Sequence, residues 1–164
     1  GVLVRKAKAG DIWTEKPYGD FVLELEFKTA GNSGILFRKP DPTTKAKDRL
    51  EIQILTPSAK GPSKHTCGSL YDCLAASKEM CRKDEWNQLR LTSANNRVEV
   101  ELNGEVVLNA NLEDWTETGK NPDGTKNKFR QPLREFARQG YIGFQDHGAE
   151  IQLRKLRIKP LTSE

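Results

Sequence analysis

Apolar and polar residues alternate one for one through stretch after stretch of this chain, and that period leaves little room for anything but β-structure. Residues 21–27 place Phe21, Leu23, Leu25 and Phe27 on one face. Residues 97–102 do the same with Val98, Val100 and Leu102. Asn103-Gly104 follows at once and leads into 105–108, the strongest short-range signal for a hairpin. Further strands are expected at 33–38, 50–55, 86–91, 141–146 and 150–158, the last two joined around His147-Gly148. Helix is limited to single turns expected at 74–80 and 133–138, each too short to stand without packing. Two connections, 56–85 and 111–139, have lengths usually reserved for functional or mobile loops. The pattern predicts an all-β fold: two antiparallel sheets packed as a sandwich in one domain spanning residues 1–164.

Composition narrows the partners. The chain is 35% hydrophobic and 30% charged, and no stretch approaches the ~20 apolar residues of a membrane-spanning helix. The net charge of +4 comes largely from Lys120, Lys126, Lys128, Arg130, Arg134 and Arg138. No aromatic residues are interleaved there for base stacking, so the segment reads as a solvated basic loop and nucleic acid is not expected as a partner. Cys67, Cys73 and Cys81 lie close together with His65, but their spacing lacks the CxxC knuckle of a zinc site. One disulfide plus a free thiol is the expectation, in keeping with a periplasmic or secreted location. The opening GVLVRKAKAGDIW has no signal-peptide apolar region.

Three strands combine an apolar face with large hydrogen-bonding residues on the other. Leu50, Ile52 and Ile54 point one way, Glu51 and Gln53 the other; Ile142 and Phe144 oppose Gln145 and His147; Ile35 and Phe37 alternate with Leu36 and Arg38. A sheet built this way carries Arg, Glu, Gln and His over a core, as in a cleft that binds or cleaves sugars. Arg38 offers five donors for hydroxyls or a developing oxyanion. Glu51 suits a general base or metal ligand, and His147 a proton carrier or metal ligand, so a divalent ion held by Glu51 and His147 is a possible cofactor. Tyr71 offers a ring for stacking on a pyranose, and His65 lies just upstream on the same loop. Asp146 points away from Gln145 unless the strand bends.

Several stretches occur in an order that resembles the 3-keto-disaccharide hydrolase domain family. They are Tyr18-Gly-Asp-Phe21, Gly31-Asn-Ser-Gly34 leading to Phe37-Arg38, Leu50-Glu-Ile-Gln-Ile54, Gly68-Ser-Leu-Tyr71, Glu85-Trp-Asn87, Leu102-Asn-Gly104 and Gly140-Tyr-Ile-Gly-Phe-Gln-Asp-His-Gly148. The resemblance covers about residues 10 to 161. It implies a concanavalin A-like jelly roll and a glycoside substrate whose C3 hydroxyl has been oxidised to a ketone. The implied chemistry is C2 proton abstraction, elimination of the C1 substituent and hydration, or elimination alone. Glu51, His147 and Arg38 are the implied catalytic set; Gln53, Tyr71, Gln145, Asp146, His65 and Arg154 are the implied sugar-binding set. The family's closing Phe-Arg-Asn-Ile is here Leu153-Arg-Lys-Leu156, with the Arg kept and the Asn replaced by Lys155. The Glu-x-Asp-x-x-Glu run of laminarinase-type members of the fold is missing, which argues against ordinary two-carboxylate hydrolysis. The alternative of another class is a lectin-like module that binds carbohydrate without cleaving it.

Overall fold

The structure, a computed structural model, describes residues 1–7, 10–46 and 48–161. Its strands are β1 (Val2–Val4), β2 (Ile12–Trp13), β3 (Phe21–Thr29), β4 (Ser33–Lys39), β5 (Leu50–Ile54), β6 (Asn87–Ala94), β7 (Arg97–Leu102), β8 (Glu105–Asn111), β9 (Tyr141–Phe144) and β10 (Ile151–Pro160). They form two antiparallel sheets, one of six strands in the order β1-β10-β3-β6-β7-β8 and one of four in the order β2-β9-β4-β5. This is the expected jelly-roll sandwich. No helix among the described residues is long and apolar enough to cross a membrane.

The alternation explains the layering. In the larger sheet Leu23 pairs with Leu91 and Leu25 with Leu89, and the same leucines face Val100 and Leu102 on β7. In the smaller sheet Ile35 pairs with Ile52 and Phe37 with Leu50. All ten are at most 3% exposed. The rings of Phe21 and Phe37 meet edge to face across the layers, with centroids 6.3 Å apart. Truncating such a buried Leu or Ile to Ala costs about 2–5 kcal/mol.

Several expectations are corrected. Strands β1 and β2 were not legible, because two or three residues carry no period. The turn of helix expected at 74–80 does not form: Leu74 bridges to Leu70 instead, and Ser77 N–H donates to the Val107 carbonyl at 2.7 Å. At 133–138 only a 3-10 turn, Leu133–Glu135, is made. Cys67, Cys73 and Cys81 are all free and buried, so no disulfide is formed. Burial pushes the Cys73 thiol up to about 12, and the thiol contact with Cys81 together with burial raises Cys67 well above its ordinary value.

Arg38 is the largest correction. The strand bulges between Leu36 and Lys39, and Arg38 adopts φ +56°, which turns its side chain to the inner face. There it is 1% exposed and clamps the two sheets together. Its guanidinium reaches Ser93 Oγ at 3.3 and 3.4 Å, Asn96 Oδ1 at 3.4 Å and the Asn95 carbonyl. Burial draws its pKa down to about 10, which leaves it protonated at neutral pH.

Candidate active site

The outer face of the four-stranded sheet is built around two glycines. Gly34 on β4 pairs with Gln53 on β5, and Gly143 on β9 pairs with both Leu36 on β4 and Trp13 on β2. A Cβ on Gly34 would lie 2.8 Å from Glu51 Oε1, and one on Gly143 would lie 2.5 Å from the Trp13 ring. The missing side chains therefore let the Glu51 carboxylate and the Trp13 indole lie flat over the sheet from opposite sides.

The connection after β5 folds back as an extra edge. Gln53 N–H donates to the Ser69 carbonyl (3.0 Å), Gly68 N–H to the Gln53 carbonyl (2.9 Å) and Tyr71 N–H to the Glu51 carbonyl (2.9 Å). Leu70 is drawn into the core by this ladder, which leaves Tyr71 beside Glu51 on the outer face. His65 lies against Tyr71 with ring centroids 4.9 Å apart, and its Nε2 is 3.3 Å from Asp72 Oδ1. Burial first, then the charges of Glu51 and Asp72, raise the Tyr71 phenol above its ordinary value, so it holds its proton at neutral pH.

The second long connection closes the site from above. Trp115 Nε1–H donates to Asn121 Oδ1 (2.9 Å), and Asn121 Nδ2–H donates to the Asp72 carbonyl (3.1 Å). The Asp72 carboxylate accepts from Lys128 N–H at 2.6 Å. These bonds carry the Lys128 ammonium to 3.5 Å from Glu51 Oε2 and 4.1 Å from the Tyr71 ring centre. Glu51 itself is only 6% exposed. A carboxylate, an ammonium and a phenol thus meet on one surface, brought together by three segments distant in sequence.

Two amide oxygens flank them. Gln53 donates through Nε2 to Asn32 Oδ1 at 3.2 Å, but its Oε1 is buried and no donor among the described residues reaches it. The Oε1 of Gln145, whose backbone N–H donates to the Gly34 carbonyl at 2.9 Å, is in the same condition. A buried acceptor left unmatched costs about 1–3 kcal/mol. Ligand hydroxyls are the donors this row of two glutamines across Gly34 would suit.

The remaining expected residues are not gathered here. Arg38 faces the interior, away from Glu51. Arg154 is on the outer face of the six-stranded sheet, where its Nε is 2.6 Å from Glu26 Oε2 and its guanidinium lies 3.9 Å over the Trp86 ring. Asp146 is a clasp for the N-terminal segment: it takes Arg5 Nε at 2.5 Å and Gly10 N–H at 3.0 Å. His147 is exposed in the β9–β10 turn, because β9 ends at Phe144 and does not carry the alternation to 147. The Glu51–His147 metal pair does not fit: Glu51 faces an ammonium, and no group of three His, Cys, Asp or Glu is gathered among the described residues. Lys128 was hidden in a charged loop, and nothing in its local sequence separates it from Lys126 or Lys120. Trp13 was likewise missed, although Gly143 in Tyr-Ile-Gly-Phe is its footprint.

Comparison with known proteins agrees with this architecture. A family profile described as a 3-keto-alpha-glucoside-1,2-lyase-like domain matches residues 1–159. The chain is 27% identical over 180 residues to a 3-keto-disaccharide hydrolase of Bacteroides thetaiotaomicron, aligning 93% of this chain with 62% of that protein. It therefore spans less than two thirds of that relative. Two solved structures described as putative glycosyl hydrolases from Parabacteroides distasonis superpose with TM-scores of 0.91 and 0.80, at 34% and 25% identity. Each alignment covers 98% of this chain, with 87% and 81% of the respective relatives.

Proposed function

The chain belongs to the 3-keto-alpha-glucoside-1,2-lyase-like family, and from that premise we propose that it cleaves 3-keto-glycosides, 3-keto-disaccharides among them, on the outer face of its smaller sheet. The observation that carries this reading is the Glu51 carboxylate, almost wholly buried yet placed beside the Lys128 ammonium at 3.5 Å and the Tyr71 ring.

A ketone at C3 acidifies the hydrogen on C2. Glu51 takes that proton, and the electron pair moves to the C3 oxygen as an enolate. Lys128 stabilises the negative oxygen. The enolate collapses, the C1–O bond breaks, and the Tyr71 phenol gives its proton to the leaving oxygen. Addition of water at C1, with a proton returned to C2, completes hydrolysis; release of the unsaturated sugar makes the same site a lyase. The Gln53 and Gln145 oxygens accept sugar hydroxyls, and the Trp13 and Tyr71 rings flank the pyranose. No step uses Arg38, which the expected mechanism had employed, because its guanidinium is committed to the sheet-to-sheet clamp.

The test is release of the aglycone from a 3-keto-glucoside and from 3-keto-trehalose, run beside proton exchange at C2 in deuterated water. Glu51→Gln is expected to lower both by about 10²–10⁴-fold, the usual weight of a general base. His147→Ala is the control for a residue outside the cluster. Full turnover by Glu51→Gln, or no C2 exchange by the wild type, ends the proposal. Sugar binding without turnover would favour the lectin-like reading, which the two aromatic rings and the unmatched amide oxygens also support.

A further inference from the structure

Beside Trp13 lies an open surface depression of about 460 Å³ lined by Asp11, Trp13, Lys39, Thr43, Lys45 and Arg49. Arg49 immediately precedes β5 and lines this depression together with Trp13 and Lys39. Its Nε is buried, and among the described residues no hydrogen bond or ion pair engages it. The other charges of the depression are placed differently. The Lys39 ammonium is 2.5 Å from Asp48 Oδ1, 2.9 Å from Thr44 Oγ1 and 2.8 Å from the Ala46 carbonyl, so it is spent on the loop. Asp11 Oδ1 accepts the Asp146 N–H at 2.9 Å. Lys45 is exposed.

A guanidinium with a buried, unmatched N–H calls for an acceptor, and its planar edge suits two oxygens of one anion. A neutral hydroxyl would use one donor, whereas an anion also gains a charge-assisted bond from the half-buried guanidinium. The Trp13 indole, held flat over Gly143, lines this depression and offers a face for an apolar sugar surface. We propose that Arg49 receives an anionic substituent, a carboxylate or a sulfate ester, on a sugar unit adjoining the one processed at Glu51. The position of that unit relative to the reacting sugar rests on the function proposed above; the anion site itself does not.

The experiment is an NMR titration at low salt, following the indole N–H of Trp13, identified by its loss in Trp13→Phe. The probes are D-glucuronate, glucose 6-sulfate and glucose. At least one anion is expected to bind ten-fold or more tightly than glucose and to weaken as salt is added. Which of the two binds names the substituent. Arg49→Gln is expected to erase the preference and Arg49→Lys to keep part of it. Equal binding of all three probes by the wild type overturns the proposal without recourse to any variant, and so does a preference that survives Arg49→Gln in a folded protein. Glu51→Gln separates the two ideas: it should abolish turnover of 3-keto-glucosides and leave the anion preference intact. An anion preference in a protein that never turns over these substrates would sink the proposed reaction alone.

Discussion

The two outer faces of the sandwich are made from the same kind of strand and have opposite electrostatic economies. On the six-stranded sheet, Glu26 is met by Arg154 and Lys155, each at 2.6 Å, and Glu24 by Arg90 at 3.8 Å. Lys155 first and Arg154 next hold the Glu26 carboxyl below the usual carboxylate range. Arg154 also covers Trp86. On the four-stranded sheet, Glu51 has one ammonium at 3.5 Å, and among the described residues two glutamine oxygens find no donor and the buried Nε–H of Arg49, just before β5, finds no acceptor. A strand pattern alone cannot tell these faces apart. What distinguishes them is that one satisfies its polar groups internally and the other leaves them for a ligand, as expected of a binding surface.

The sharpest way to break this contrast is to remove one carboxylate from each face. Glu51→Gln should cost about 10²–10⁴-fold in kcat on a 3-keto-glucoside, whereas Glu26→Gln should change it less than about two-fold. Comparable losses from both would dissolve the distinction. Next in size is the cation pair: Lys128→Met is expected to lower kcat by about 10²–10³-fold through loss of enolate stabilisation, while Arg154→Met alters the rate little and thermal stability somewhat. Gly143→Ala follows, since its Cβ would enter the Trp13 ring at 2.5 Å. Displacing that ring should reduce kcat/KM by roughly ten- to a hundred-fold with a folded protein by circular dichroism.

Smaller effects test what holds each face in place. The loop that presents Tyr71 is backed by buried thiols, and none of the three should react with a thiol reagent at pH 8 until denaturant is added. The Cys73 thiol has its folded pKa raised from 9.0 to about 12. Its neutral form is therefore favoured by folding, and the associated stability is complete below about 9 and is lost as pH climbs toward 12. Cys73→Ala should show a shallower loss of Tm than the wild type between pH 8 and 10.5. On the opposite face Lys155 has φ +54°, a conformation Asn tolerates far better, and Asn is what the resembling family carries there. Lys155→Asn should raise Tm by about 1–3 °C through relief of that backbone, because Glu26 keeps Arg154 as a partner when Lys155 is lost. A fall in Tm would show that the ion pair dominates.

Sequence alone determined the strands that bury a face, because alternation is a local property and survives any arrangement of neighbours: β3, β4, β5, β7 and β9 could be read from Phe21, Ile35, Ile52, Val100 and Ile142 outward. The same period placed Glu51, Gln53 and Gln145 opposite the core, and the Gly68-Ser-Leu-Tyr71 motif pointed to Tyr71. Only the tertiary structure decided who joins them. Arg38 left that face because a bulge and a positive φ reversed it, an event invisible to a two-residue period. Lys128 reached Glu51 through a chain of bonds from Trp115 to Asn121 to Asp72, and Trp13 reached Gly143 across a two-residue strand. Local spacing encodes which way a side chain points; which distant side chain meets it is set by register, loop closure and packing, whose information is spread over the whole chain.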